Sequence, residues 1–333
     1  MATDPRNHER LTELDAALAA VQAASALTAG AQGRLAAGDT HTKGDESPVT
    51  VADFAAQAIV CATLTDALGE IDLVGEEDSA HLRSDERTAL RDGVVELVQR
   101  QRADNMSAST VLDWISVGAA DATTARHWTL DPIDGTKGFL RGDQYAIALA
   151  LVEDGAVTLG VLGCPNLPNP DGTIGAVFAA GAGLDGNCVA YYGSSTTAVP
   201  ARVAAPASLA EARFCESVDS GHSNQDDSAR IAELLGISAE PYRIDSQCKY
   251  AAVARGDASI YPRLPTRADY REKIWDHAAG KLVVEQAGGR VTDVTGAPLD
   301  FTHGTKLEQN RGVIATDGRF HDDVLAAVAA VLT

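Results

Sequence analysis

Four acidic clusters stand out in the chain as candidates for chemistry. Glu76-Glu77-Asp78 follows an apolar run and Gly75. Asp131-Pro132-Ile133-Asp134-Gly135-Thr136 follows a second apolar run. Asp276 lies in Ile274-Trp275-Asp276-His277 at the predicted start of a helix, and Asp53 lies within Val49–Asp53. Pro132 cannot donate to a strand ladder and fixes its own φ, so the chain is expected to turn sharply after the strand. Such a turn can bring Asp131 and Asp134 to one side with the Ile133 carbonyl between them, and carboxylates plus a main-chain carbonyl are what divalent cations take. Asp134-Gly135-Thr136 then reads as a helix start whose bare N–H groups suit a phosphate. Taken singly, each cluster has an ordinary reading: a cap for Asp276, solvated acids for Glu76 and its neighbours, a helix-surface residue for Asp53.

The elements that must position these residues follow from periodicity. Residues 7–32 and the run VTVADFAAQAIVCATLTDALG read as helices, the second closing at Gly69. IDLVGEED reads as a buried strand ending in acids, and residues 79–125 are the least regular part. From His127 the texture turns to β, with Asp154-Gly155 between apolar runs as a hairpin signal. A Pro/Ala stretch, Ala198–Ala210, reads as a linker between a domain of residues 1–205 and one of residues 206–333. Beyond it helices and strands alternate, as in an α/β unit.

At 333 residues the chain is long enough for two domains and for a core that needs no disulfide staples. Lys and Arg number 27 against 47 Asp and Glu, a net charge of −20. That field repels a phosphate backbone, so nucleic-acid binding is not expected, and a small phosphate ligand would need bound cations and a local basic patch. Five scattered cysteines without a C-x-x-C pair read as reduced thiols in a cytoplasmic setting. The early acids of MATDPRNHERLTELD argue against a targeting leader, and the absence of about 18 uninterrupted apolar residues argues against a membrane span.

Gly181-Ala182-Gly183-Leu184-Asp185-Gly186 spells the dinucleotide fingerprint, but NCVAYYG after it is strand-like where the fingerprint must open a helix, so a glycine-rich β-turn is expected. The eight histidines show no zinc spacing.

Read together and in order, Gly75-Glu76-Glu77, Asp131-Pro-Ile-Asp134-Gly-Thr136 and Trp275-Asp276-His277-Ala-Ala-Gly280 resemble the lithium-sensitive, magnesium-dependent phosphatases of the inositol monophosphatase superfamily. The Lys137–Gly142 run, with GVLGCPN, DSQCKYAAVARG, YPRLPT and YREKIWDHAAG, is similar to the branch acting on 3′(2′),5′-bisphosphate nucleotides. The resemblance implies an αβαβα layered sandwich of α/β (α+β) class, with the site in the cleft between two domains. It implies two or three Mg2+ ions on Glu76, Asp131, the Ile133 carbonyl, Asp134 and Asp276, and Asp53 with Thr136 as the pair that orients and deprotonates the attacking water. Gly135, Thr136, His222, Ser246, Lys249, Arg263 and Asp276 match substrate-binding positions, His222 with the most departure around it. The implied reaction is hydrolysis of adenosine 3′,5′-bisphosphate to AMP and phosphate without a phospho-enzyme, with 3′-phosphoadenylyl sulfate as a further substrate, by a monomer engaged in sulfate assimilation. An inositol (poly)phosphate 1-phosphatase and a non-catalytic sensor of adenosine bisphosphate are the alternatives.

Overall fold

The computed structural model describes residues 5–36, 48–181, 183–218, 225–265, 267 and 269–332. In chain order its elements are α1 (Pro5–Ala36), α2 (Pro48–Leu68), β1 (Leu73–Gly75), α3 (Thr88–Arg102), α4 (Ala108–Ser116), β2 (Arg126–Asp134), α5 (Thr136–Arg141), β3 (Ala146–Glu153), β4 (Ala156–Pro168), β5 (Ile174–Gly181), β6 (Cys188–Tyr192) and β7 (Val199–Pro200). There follow β8 (Cys215–Glu216), α6 (Gln225–Leu234), β9 (Tyr242–Arg243), α7 (Cys248–Arg255), β10 (Ile260–Arg263), α8 (Ala278–Gln286), β11 (Arg290–Thr292), β12 (Val313–Thr316) and α9 (His321–Leu332).

The first seven strands form one sheet in strict sequence order. All neighbours are antiparallel except β1 and β2, which run parallel and are joined through α3 and α4. The β3–β4 hairpin turns at Asp154-Gly155, both at positive φ (50° and 78°), the two-residue turn whose twist suits paired strands. Gly181 ends β5 and residues 183–186 form a turn that leads into the antiparallel strand β6, with no helix opening there among the described residues as a dinucleotide loop would need. Expected helix limits shift by a few residues at most, while the IDLVGEED strand shortens to Leu73–Gly75. Val199–Pro200 pairs with β6, so the large sheet extends into the stretch read as a linker.

Five layers result. Helices α1 and α2 pack Ala17, Ala20, Val21, Ala56, Val60 and Leu64 onto one face of the large sheet, against Trp128, Ile147, Leu149 and Val161. α2 is apolar nearly all round because α3 and α4 cover its outer side through Phe54, Ala55, Ala58 and Ile59. The other sheet face packs on α7 and α8 through Leu162 and Phe178 against Ala279 and Val283. Behind these lie a three-stranded sheet, β10-β12-β11, and the β8–β9 pair. Finally α6 and α9 close the stack through Ile231, Val324 and Val328 against Ile260 and Ile314. This is the expected αβαβα sandwich.

Gly160 on β4 and Gly280 on α8 allow the layers to approach. A Cβ at Gly160 would stand 3.0 Å from the Ala279 carbonyl, and one at Gly280 would stand 2.1 Å from the Tyr250 ring. Contrary to the reading from uninterrupted apolar runs, Arg10–Leu35 and Thr50–Leu68 are long and apolar enough to cross a membrane. Here both lie against the sheet, with 72% of the second stretch buried. All five cysteines are buried free thiols.

Candidate active site

The acidic clusters converge where β1 and β2 end and α5, α7 and α8 begin. Glu76 and Glu77 leave β1 with the Glu76 amide bonded to the Leu130 carbonyl at 3.2 Å. Gln57 of α2, wholly buried, fixes this segment: its Nε2 donates to the carbonyls of Glu77 (2.7 Å) and Ile115 (3.1 Å), and its Oε1 accepts from the Glu77 amide (3.1 Å). Its side chain passes so close to Gly75 and Gly118 that a Cβ on either would lie 2.4 Å from it. Asp53 precedes Gln57 by one helical turn and is buried on the same helix.

The β2–β3 register breaks between Asp131 and Asp134, so Pro132 produces an irregularity within β2 rather than the end of the strand. Gly135 then starts α5 at φ 90°, and a Cβ there would meet the Ser246 Cβ at 2.7 Å. Ser246 is itself left-handed at φ 64°. Beside it the Gln247 amide donates to Asp134 Oδ2, and Gln247 Nε2 donates to the Trp275 carbonyl at 2.9 Å. Arg141 of α5 pairs with Asp245, whose Oδ1 accepts from the Val218 amide at 3.0 Å.

A cavity of about 420 Å³ opens between these segments. Its lining brings together Glu76, Asp131, Ile133, Asp134, Gly135, Thr136, Ser246, Lys249, Arg263 and Asp276 from the expected set, and adds Lys137, Asp245, Gln247, Tyr261, Tyr270 and His277. Asp53 lies behind this lining. No hydrogen bond joins it to Thr136 among the described residues: Thr136 is exposed on the first turn of α5, whereas Asp53 is buried on α2. His222 lies outside the described residues.

The acids hold one another away from their ionised forms. Burial, then repulsion from Glu76, Asp134, Asp276 and Asp53, raises Asp131 well above the usual carboxylate range. Burial followed by Glu77 and Glu76 raises Asp53. Poor solvation is the first cause at Glu76, Glu77 and Asp276, each pushed up to about 7, with Asp134 adding repulsion at Glu76 and Asp276. Asp131 Oδ1 is buried without a hydrogen-bond partner. An orphaned carboxylate oxygen among four neighbouring acids is a donor set that hard divalent cations fit.

Cationic groups share the cavity. Lys249 is buried, donates to Ser217 Oγ at 3.1 Å and lies 5.3 Å over the Tyr261 ring. Burial lowers its pKa from the usual lysine value. Arg263 gives Nε and Nη2 to the two oxygens of buried Glu272, both at 3.2 Å. His277 joins that carboxylate through Nε2 at 3.3 Å and Tyr250 through Nδ1 at 2.7 Å. Ligand atoms of Glu272, Asp276 and His277 lie within 4.8 Å of one another. Burial opposes the charge on Glu272, yet His277 and Arg263 hold its pKa down to about 2. Glu272 is thus engaged by Arg263 and His277 of its own chain, while Asp276 lines the cavity with the carboxylates from β1 and β2.

Gln57, Gln247 and Glu272 escape sequence reasoning because their roles lie in contacts between distant segments. The local signals were the glycine before Glu76-Glu77 and the Glu272 four residues ahead of Asp276.

Fold and site together define a five-layer α/β protein with a carboxylate-lined cavity that could hold a divalent cation and that also presents buried Lys249 and half-buried Arg263. The family model of the inositol monophosphatase family matches residues 7–333. The chain belongs to the inositol monophosphatase family. It is 42% identical to a 3'(2'),5'-bisphosphate nucleotidase of Emericella nidulans, over 94% of this chain and 96% of that one. It is 44% identical to one of Schizosaccharomyces pombe over 96% and 95%, respectively. Among solved structures, an inositol monophosphatase from Anabaena superposes with a TM-score of 0.61 at 20% identity, covering 95% of both chains. CysQ from Bacteroides thetaiotaomicron superposes with a TM-score of 0.57 at 18% identity, over 93% and 97%.

Proposed function

We propose that this chain is a magnesium-dependent, lithium-sensitive phosphatase that hydrolyses adenosine 3′,5′-bisphosphate to AMP and phosphate, with 3′-phosphoadenylyl sulfate as a second substrate. In a cell the reaction would clear a nucleotide by-product of sulfate assimilation in the cytoplasm. The observation that carries the reading is the joint lining of one cavity by the carboxylates Glu76, Asp131, Asp134 and Asp276 and the cations Lys249 and Arg263. Similarity to proteins named 3'(2'),5'-bisphosphate nucleotidase at 42–44% identity supports the choice of substrate.

Magnesium held by Glu76, Asp131, Asp134, Asp276 and the Ile133 carbonyl would offset the charge of the phosphoryl oxygens and make water a better nucleophile. The chain's own groups do the rest. Thr136, exposed at the start of α5, orients the attacking water with its hydroxyl. Asp53, buried behind the acids, accepts the proton, the water bridging it to Thr136. Lys249 and Arg263 receive the phosphate that is not cleaved, and Ser246, Gly135 and His222 bind the nucleotide. Phosphoryl transfer needs little beyond such positioning and charge stabilisation, so no covalent intermediate is formed.

Phosphate release from adenosine 3′,5′-bisphosphate and from inositol 1-phosphate, each with magnesium and with or without lithium, tests the reading. Preference for the nucleotide, abolished by lithium, is the expected result. Preference for the inositol ester would retain the metal site and overturn the assignment of Lys249 and Arg263. Binding of the nucleotide without phosphate release would make the chain a sensor.

A further inference from the structure

The carboxylates of the cavity repel one another across elements far apart in the chain, and something must hold them at a fixed separation. Asp134 ends β2 and Asp276 precedes α8, and both line the same cavity. One residue bonds to both segments. The Gln247 amide donates to Asp134 Oδ2, and the Gln247 side chain donates through Nε2 to the carbonyl of Trp275, the residue before Asp276. Gln247 is 2% exposed and lines the cavity, and its Oε1 has no hydrogen-bond partner. The side chain is therefore held in the interior by its single Nε2 bond to Trp275.

The geometry points to Gln247 as a positioning residue that sets the spacing of Asp134 and Asp276 and thereby the affinity of the cluster for divalent cations. The backbone N–H holds Asp134 and the side chain holds the segment before α8, so removing the side chain keeps the first bond, frees the Trp275 carbonyl and unties the Asp276 segment from Asp134. Groups that orient ligands in this way commonly change metal affinity by about 10–100-fold when removed. This inference rests on the metal reading of the cavity and adds to it a residue that touches neither metal nor substrate through its backbone bond and its Nε2.

The test is magnesium binding to the full chain, followed by calorimetric titration and by the magnesium-dependent rise in melting temperature, for wild type, Gln247→Met and Gln247→Asn. Methionine keeps the length and loses both polar atoms, whereas asparagine keeps the amide and cannot reach Trp275. Both variants are expected to bind magnesium about 10–100-fold more weakly, while phosphatase kcat returns toward the wild-type value at correspondingly higher magnesium. Folded variants that bind magnesium as wild type does would overturn the inference while leaving the metal reading intact. Loss of the fold in both variants would also overturn it, since a purely structural residue behaves that way. A wild-type chain that binds no magnesium would overturn the metal reading and the inference together.

Discussion

Lys249 is a buried cation with no carboxylate within ion-pairing distance among the described residues; a serine hydroxyl and an aromatic face are its neighbours. Charge buried in this way is costly unless an anion completes it. An incoming phosphate is the natural partner, and Lys249→Met is expected to raise KM for adenosine 3′,5′-bisphosphate about 10–100-fold, the worth of one charge-assisted hydrogen bond. The KM for adenosine 3′-monophosphate, which lacks the uncleaved group, should change far less, and steady-state kinetics on the two substrates would show the difference. Asp134→Asn removes a charge from the centre of the acidic set, and phosphate release should fall by about 10²–10³-fold or more while the melting temperature holds or rises, because a repulsion is relieved. The acids themselves were legible as a motif, since carboxylates spaced around a proline and a carbonyl have few other uses in combination. The partners that aim them were not, because Gln57 and Glu272 carry no local pattern: Gln57 acts through Ile115 and Glu77, while Glu272 acts across the fold of the segment onto Arg263. Asp53 and Thr136, the pair implied by the resemblance, share no hydrogen bond among the described residues, Asp53 being buried and Thr136 exposed.

Between elements, close contact depends on a few small residues. Gly280 lets α8 lie against Tyr250 of α7, and even one methyl group there would collide with the buried ring at 2.1 Å. Gly280→Ala should therefore destabilise the chain by about 1–3 kcal/mol, read from denaturant unfolding. At the far edge of the stack His321 opens α9 and bridges two strands, with Nε2 on Thr292 Oγ1 at 2.8 Å and Nδ1 on Thr316 Oγ1 at 2.9 Å. Burial lowers its pKa to about 4, below the unfolded value of about 6.5. The neutral ring thus contributes stability that is complete above about pH 6.5 and is lost as pH falls toward 4. His321→Asn should flatten the dependence of unfolding free energy on pH within that window, measured against wild type. Long helices and the Asp154-Gly155 hairpin were readable because period and turn chemistry repeat over many residues. The strands of the small sheets, two to four residues each, were readable only as an alternation of strand and helix, since tertiary pairing and not local pattern sets their ends.

Over the whole molecule, the chain leaves the large sheet at Pro200 and enters the next layer at Cys215, but one apolar core runs from Val74 to Ala315 across that passage. The sheet face bearing Leu162 and Phe178 is covered by α8, which comes from the far side of it. A fragment of residues 1–205 is therefore expected to expose a broad apolar face and to lack a cooperative thermal transition, as dye binding and calorimetry would show. At the Pro/Ala stretch the chain changes layer; one apolar cluster is shared across it, and the others lie wholly on one side. Strand order in the large sheet has a different consequence. Because β1 to β7 lie in the order in which they are synthesised, each new strand emerging from a ribosome finds its neighbour already in place. The cavity has no such order: Glu76, Asp131 and Asp134 arrive early, Lys249 and Arg263 late, and Asp276 after them. A nascent chain thus has every strand of the large sheet available to pair while its acid cluster still waits for Asp276 to emerge.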